Sequence, residues 1–203
     1  MDMTRMRKSK DLRAWRRFAG DRKGVALVEF AMLLPVMLIA YVGMTEVVQL
    51  VMINRKVTQL TSALSDLTSR VQSVSPTDID NIFNAAETIM MPYEGGKPAM
   101  VITSLVVDAS GVAKVCWSSQ RNGTALARGT TQVIPDIYRT PSTSVIMASA
   151  SYNYTPTIGY VLTGGPYTLG ENPIYTRPRN GLAGGTLSIE QVKRTDANAC
   201  PTF

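Results

Sequence analysis

Between residues 24 and 53 the chain reads GVALVEFAMLLPVMLIAYVGMTEVVQLVMI, its longest apolar run. Residues 25–45 at ~1.5 Å each extend about 30 Å, enough for a helix to cross the hydrocarbon core of a bilayer. Three positions interrupt the pattern: Glu29 near the start, Pro35 in the middle and Glu46 just past the end. Pro35 has no amide to donate and crowds the carbonyl of Ala31, so a kink or local loosening is expected there. Glu46 falls at the outer interface, where a carboxylate is cheap. Glu29 lies one turn inside the opposite edge, where it either snorkels toward headgroups or serves a purpose that repays its cost.

The helical pattern continues past the span. Leu50, Ile53, Val57, Leu60, Leu64, Leu67 and Val71 are spaced alternately three and four apart, while Arg55, Lys56, Gln59, Ser62, Asp66 and Arg70 fall off that stripe. This seven-residue repeat predicts one helix running from about residue 25 to 71, with its outer half packed on the chain's own domain or on a partner helix. Ser75-Pro76-Thr77-Asp78 reads as a stop and restart: a cap residue, Pro in the first turn, and an acid near a helix N-terminus. Ile79, Ile82, Phe83, Ala86, Ile89 and Met90 would form the buried face of a short second helix. It ends before Pro92 and the Glu94-Gly95-Gly96 turn.

From residue 99 the period changes to that of strands. Residues 99–108 are apolar and β-branched, Ala109-Ser110-Gly111 is a turn, and residues 112–119 alternate. That alternation places Val112, Lys114, Cys116 and Ser118 on one side of a hairpin strand, and Ala113, Val115 and Trp117 on the other. Residues 120–129 read as a polar loop, 142–154 as a third strand ended by Pro156, and 158–162 as a short apolar run. Gly and Pro crowd residues 163–185, which predicts mostly loop. Residues 187–192 form a last short strand or turn. The fold class is α+β: a long N-terminal helix, a short second helix and a small antiparallel sheet.

Charge changes the picture at one end. Nine of the 21 Lys and Arg residues and three of the 15 acids lie in residues 1–23, so the whole net charge of +6 sits there and the rest of the chain is balanced at twelve of each. A basic block directly before an apolar span places the N-terminus in the cytoplasm and the remainder outside. The same imbalance argues against nucleic acid as a partner, because no excess charge is left for the folded part. Arg16-Arg17-Phe18 has a superficial likeness to a twin-arginine export signal; topology-setting charge accounts for it better. Four zones result: a basic leader (1–24), a transmembrane helix (25–46), an amphipathic extension (47–72) and an extracytoplasmic α+β domain (73–203).

Candidate chemistry is sparse. The chain has no His, which removes His-based triads, His metal sites and the commonest general base. Its two cysteines, Cys116 and Cys200, are too few for a Cys-rich zinc site; outside the cytoplasm a single disulfide is the natural reading, with the pairing left open. Asp78 and Asp80 are explained by capping. Tyr175, Arg177 and Arg179 offer an anion site or, more simply, a solvated loop. Neither Gly164-Gly165 nor Gly184-Gly185 has the strand-to-helix setting of a phosphate loop. Nothing here points to an enzyme, a cofactor or a metal.

One constellation is sharper. A basic stretch, then Gly24, then an apolar segment with Glu29 five positions on resembles the processing site of type IV prepilins and pseudopilins. The longer pattern of Gly24, Ala26, Val28-Glu29-Phe30-Ala31, Pro35, Gly43 and Glu46 resembles the N-terminal domain of TadE-like proteins, pseudopilins or minor pilins of the Tad (Flp) tight-adherence pilus. The resemblance covers about residues 23–70. The segments Val115-Cys116-Trp117-Ser118, Tyr152-Asn153-Tyr154-Thr155-Pro156 and 175–179 are similar to the same family, less distinctively. The resemblance implies a type IV pilin-like fold and a prepilin peptidase that cuts between Gly24 and Val25. It implies that Glu29, with Phe30 and Pro35 beside it, serves processing and assembly, the carboxylate pairing with the mature N-terminus of a neighbour. Partners would be the peptidase, sister pseudopilins and pilins, the inner-membrane assembly platform and membrane lipid. An uncut inner-membrane scaffold of the same machinery, and a membrane-anchored periplasmic binding or enzymatic domain, are the alternatives.

Overall fold

The computed structural model describes residues 24–93, 97–156, 166–170 and 172–200. The basic leader up to residue 23, the Glu94-Gly95-Gly96 turn and the apolar run 158–162 lie outside the described residues. The chain divides into two compact units, residues 1–46 and 47–203.

The described part of the first unit is helical. It belongs to α1 (Val25–Ser69), a 45-residue helix assigned without a break through Pro35. In this unit the large apolar side chains, from Val25 through Phe30 and Leu38 to Met44, are exposed apart from half-buried Val42. They form the one helix among the described residues long and apolar enough to cross a membrane.

The second unit holds the rest of α1, two short helical elements and the strands. α1 ends at Ser69 and leads to β1 (Ser73–Val74). Then comes α2 (Pro76–Glu87), opened by a capping box. The Ser75 Oγ accepts from the Asp78 N–H at 3.1 Å, and the Asp78 carboxylate accepts from the Ser75 N–H at 2.9 Å. Pro76 fills the first helical position, where its missing donor costs nothing. A 3₁₀ turn (Thr88–Met90) extends α2, and Ile79, Phe83, Ala86 and Met90 are its buried face. Ile82 and Ile89 pack at the margin.

β2 (Ala99–Val107) and β3 (Ala113–Arg121) form the expected antiparallel hairpin. β2 also pairs along its whole length with β5 (Thr143–Tyr154), making a three-strand centre. β4 (Thr131–Gln132) caps one edge, and β6 (Tyr167–Gly170) and β7 (Ile174–Thr176) both pair with β5 on the other. β8 (Leu182–Gly184) pairs antiparallel with β9 (Ile189–Gln191), and β10 (Lys193–Arg194) runs parallel to β1. The stretch 163–185, read as mostly loop, therefore contains three short strands among its described residues. Their pairing is supplied by β5 and β9, not by local pattern.

One register detail changes the sidedness of β3. Ser104 faces Trp117 but Leu105 faces Val115, so Cys116 is an extra residue in a bulge. Past the bulge the alternation inverts. Cys116 and Trp117 both join the main core, while Ala113 and Val115 belong to a smaller cluster on the other face with Leu105, Val107 and Ile134. The expectation that Trp117 shares a side with Ala113 and Val115 is thereby corrected.

The main core lies between α1, α2 and one face of the sheet. It joins Ile53, Val57, Leu60 and Leu64 of α1 to Met100, Ile102, Ile146, Ala148 and Ala150 of the strands. The stripe of α1 is thus packed on the chain's own domain. Leu50 and Val71 pack at its ends. Leu67 does not belong to it: its exposure is 37%, against 0% for Leu64. A straight α-helix turns 3.6 residues per turn, so a seven-residue repeat drifts about 20° per heptad around it. The buried face accordingly walks onto Thr61, Ser65, Thr68 and Ser69. Small polar residues there let the strands approach: Ser65 Oγ donates to Thr176 Oγ1 of β7 at 2.6 Å, and Thr61 and Thr68 return their hydroxyls to the carbonyls of Val57 and Leu64.

Candidate functional site

The sequence directs attention to the start of α1. Gly24 immediately precedes the helix and is exposed, and among the described residues a Cβ built on it would meet nothing within 4 Å. Val25 is the first residue of α1, and the first helical turn contains no acid. Glu29 follows one turn later, four positions from Val25 and so on the same helix face. It is exposed, as is Phe30. Pro35 lies inside the helix and deprives the carbonyl of Ala31 of its usual donor. A single carboxylate thus stands one turn from the helix N-terminus on an otherwise apolar, exposed surface. Chemically this combination places one anionic group a single turn from the start of an exposed apolar helix.

The other sequence candidates sit in the second unit. Cys116 and Cys200 are joined as a disulfide, with Cα atoms 5.6 Å apart and both residues buried. The Tyr175, Arg177 and Arg179 trio is not assembled into an anion site. Arg179 pairs with Asp66 at 3.0 Å, Arg177 donates to Thr140 Oγ1 at 2.8 Å, and Tyr175 stacks on Tyr138 with ring centroids 5.3 Å apart. Burial raises the Tyr175 phenol above its ordinary pKa. The backbone N–H of Arg179 and the side-chain amide of Asn180 instead cap the end of α1, donating to the carbonyls of Ser69 and Arg70 at 2.8 and 3.0 Å. Asp78 is the third helical residue of α2 and completes its capping box, and its carboxyl is held below the ordinary range by hydrogen bonds from Ser75. Among the described residues no group of three or more His, Cys, Asp or Glu is placed to hold a metal.

Three polar residues with structural tasks carry no signal in the sequence. Lys56, off the apolar stripe, donates to the carbonyls of Ile89 and Met91 at 2.9 and 2.7 Å. It thereby closes the C-terminal end of the second helical element, where a cation is favoured. Arg121 binds Asn84 of α2 at 2.6 Å and lies over the Phe83 ring at 5.3 Å. Gln191 is fully buried, with its amide bonded to the backbone of Cys200. Each contact spans at least one intervening element or loop, so local pattern cannot announce it.

These features define a class: an α+β domain carried on a long N-terminal helix whose first part has the length and composition of a single membrane span. Within that class, residues 24–64 match the family model described as TadE-like protein. The matched segment begins at Gly24, includes Glu29, Pro35, Gly43 and Glu46, and continues through the buried part of the α1 stripe to Leu64. No curated protein and no solved structure matches the chain.

Proposed function

We propose that the chain is a processed, single-span pseudopilin, or minor pilin, acting in assembly of a Tad-type pilus. The observation that carries this reading is the TadE-like match beginning at Gly24, with Gly24 and Val25 exposed and Glu29 one turn into an exposed apolar helix. In the proposed sequence of events, the basic leader holds the N-terminus in the cytoplasm and a membrane prepilin peptidase cuts between Gly24 and Val25. Cleavage removes the leader and with it the net charge of +6 carried in residues 1–23. It creates a new ammonium at Val25.

A carboxylate in a low-dielectric setting is strongly unfavourable alone and much less so when paired. Glu29 then favours a neighbour whose own ammonium lies at the right depth, which sets the axial register between subunits. Pro35 loosens the helix near Ala31, easing its transfer from lipid to assembly. The second unit, outside the membrane, gives the helix a folded head. Its proposed partners are the peptidase, sister Tad subunits, the assembly platform and lipid.

Glu29→Ala tests the assembly role. The variant should enter the membrane at least as well as the native chain and still be cut, yet fail to join its assembly. Normal assembly of the uncharged variant would remove Glu29 from the account.

A further inference from the structure

The last described residues cross back over the main core. Val192 and Cys200 are both fully buried, but none of the seven residues between them is. That segment is held by edge contacts. β10 pairs with only the two residues of β1, and the N–H groups of Lys193 and Thr195 donate to Gln72 and Val74 at 3.1 and 3.0 Å. Arg194 donates to Ser119 Oγ, pairs with Asp196 at 2.7 Å, and lies over the Trp117 ring at 5.9 Å. Arg128 reaches the Ala199 carbonyl at 3.4 Å. The Arg194 side chain is only 15% exposed, but the β1–β10 pairing is two residues long and the Asp196 and Arg128 contacts are partly solvated, interactions of the kind that open first.

The buried anchor at the far end is Cys200. Its sulfur is bonded to Cys116 in the β3 bulge, and its backbone is gripped on both sides by Gln191, whose Oε1 accepts the Cys200 N–H at 3.0 Å and whose Nε2 donates to the Cys200 carbonyl at 2.5 Å. Reduction would place two thiol hydrogens, and a sulfur–sulfur contact that needs more room than a bond, in a close-packed pocket. Overpacking of that kind is relieved by expelling the most weakly held wall. The weakly held wall is the strap itself.

We propose that the Cys116–Cys200 disulfide is a redox latch for a strap comprising residues 193–200, and that this latch controls the β1–β10 closure at the end of α1. In closing, Cys116 and Cys200 each lose a proton, and together they pass two electrons to a disulfide oxidant, which leaves as two thiols. Because both sulfurs are buried, a dithiol reductant reaches them only when the strap frays, and then runs the exchange backwards through a mixed disulfide that holds the strap open. When the latch opens, Cys200 leaves its pocket, β10 separates from β1, and the link between α1 and α2 loses its only parallel strand partner among the described residues. The inference rests on the fold of the second unit and is independent of the pilus reading.

Trypsin tests it directly, because Lys193 and Arg194 lie in the strap, whereas Lys114 and Arg121 lie in β3. The full chain in detergent is digested in short pulses, oxidised or after treatment with a dithiol. Each sample is then quenched, fully reduced and read by mass, so that a cut peptide still tethered by sulfur is also counted. Reduction should raise cleavage after Lys193 and Arg194 by roughly tenfold or more, tracking the opened population, while the sites after Lys114 and Arg121 stay protected. Untreated Cys200→Ser should behave like the reduced native chain. Equal cleavage at 193 and 194 in both redox states would overturn the latch. Simultaneous loss of protection at 114 and 121 would overturn it too, since the disulfide would then support the whole sheet.

Discussion

Arg179 holds Asp66 at 3.0 Å through its guanidinium, and its backbone N–H donates to the Ser69 carbonyl at 2.8 Å. One residue therefore closes the end of α1 in two ways, and the two differ in worth. The ion pair is largely solvated, with side-chain exposures of 58% and 34%, so Arg179→Ala should cost only about 0.5 kcal/mol. Arg179→Pro removes the N–H and strands a carbonyl at the buried Ser69, for about 1–3 kcal/mol. Chemical denaturation of the two variants should give that order; equal losses would mean the ion pair dominates.

Gly170 brings β6 against both its partner strand and α1. Its φ is 101°, and a Cβ there would lie 2.3 Å from the Ala150 carbonyl oxygen and 2.6 Å from Val57 Cγ1. Gly170→Ala should cost more than about 2 kcal/mol, because a backbone atom cannot yield as a side chain can. Gly111 also has a positive φ, 80°, but its nearest neighbour would be 3.8 Å away. Gly111→Ala should cost about 1 kcal/mol, the backbone strain alone. Thermal unfolding of the pair separates crowding from conformation.

The drift of the buried face along α1 makes a third expectation. Leu64→Ala empties a fully buried site and should cost about 2–5 kcal/mol. Leu67→Ala, three positions on in the same sequence stripe, should cost roughly 0.5 kcal/mol. Comparable losses would show that the stripe keeps its seven-residue phase on a partner helix.

The capping box of α2 titrates. Hydrogen bonds from the Ser75 backbone and hydroxyl hold the Asp78 carboxyl below its ordinary value of 3.8, so the unfolded chain binds that proton more readily than the folded one. The stability contributed by Asp78 is fully present above pH 3.8 and is lost as the pH falls through its lower folded value. Asp78→Asn should therefore be less stable than the native protein at neutral pH, with the gap narrowing in acid. Ser75→Ala should lose about 1 kcal/mol at neutral pH. Stability curves across pH 2 to 7, with the window set by that depressed carboxylate, check both.

The parts of this fold that sequence alone exposes are those whose physics is local. A 3–4 apolar spacing marks α1, Ser75-Pro76 with Asp78 marks the start of α2, and β-branched runs with a Gly turn mark the β2–β3 hairpin. The parts that stay hidden depend on distant partners. Nothing near Cys116 announces the bulge that turns Trp117 toward the core. β6, β7 and β8 are three or four residues each in a Gly- and Pro-rich stretch, and they are strands because β5 and β9 pair with them. Arg177 and Arg179 look like solvated charge until Thr140 and Asp66 are placed beside them. At the candidate site the order is reversed: Gly24, Glu29 and Pro35 are legible because their spacing itself is the signal, while the fold adds only that Gly24, Val25 and Glu29 are exposed.

The proposed processing makes Val25 the first residue of the mature chain. Intact mass and N-terminal sequence, measured on the membrane-extracted protein from cells that make the prepilin peptidase, test it most directly. The native chain should start at Val25 with a free amine, and Gly24→Ala or a bulkier substitution should leave it uncut. A native chain that retains Met1 to Gly24 in those cells would contradict it.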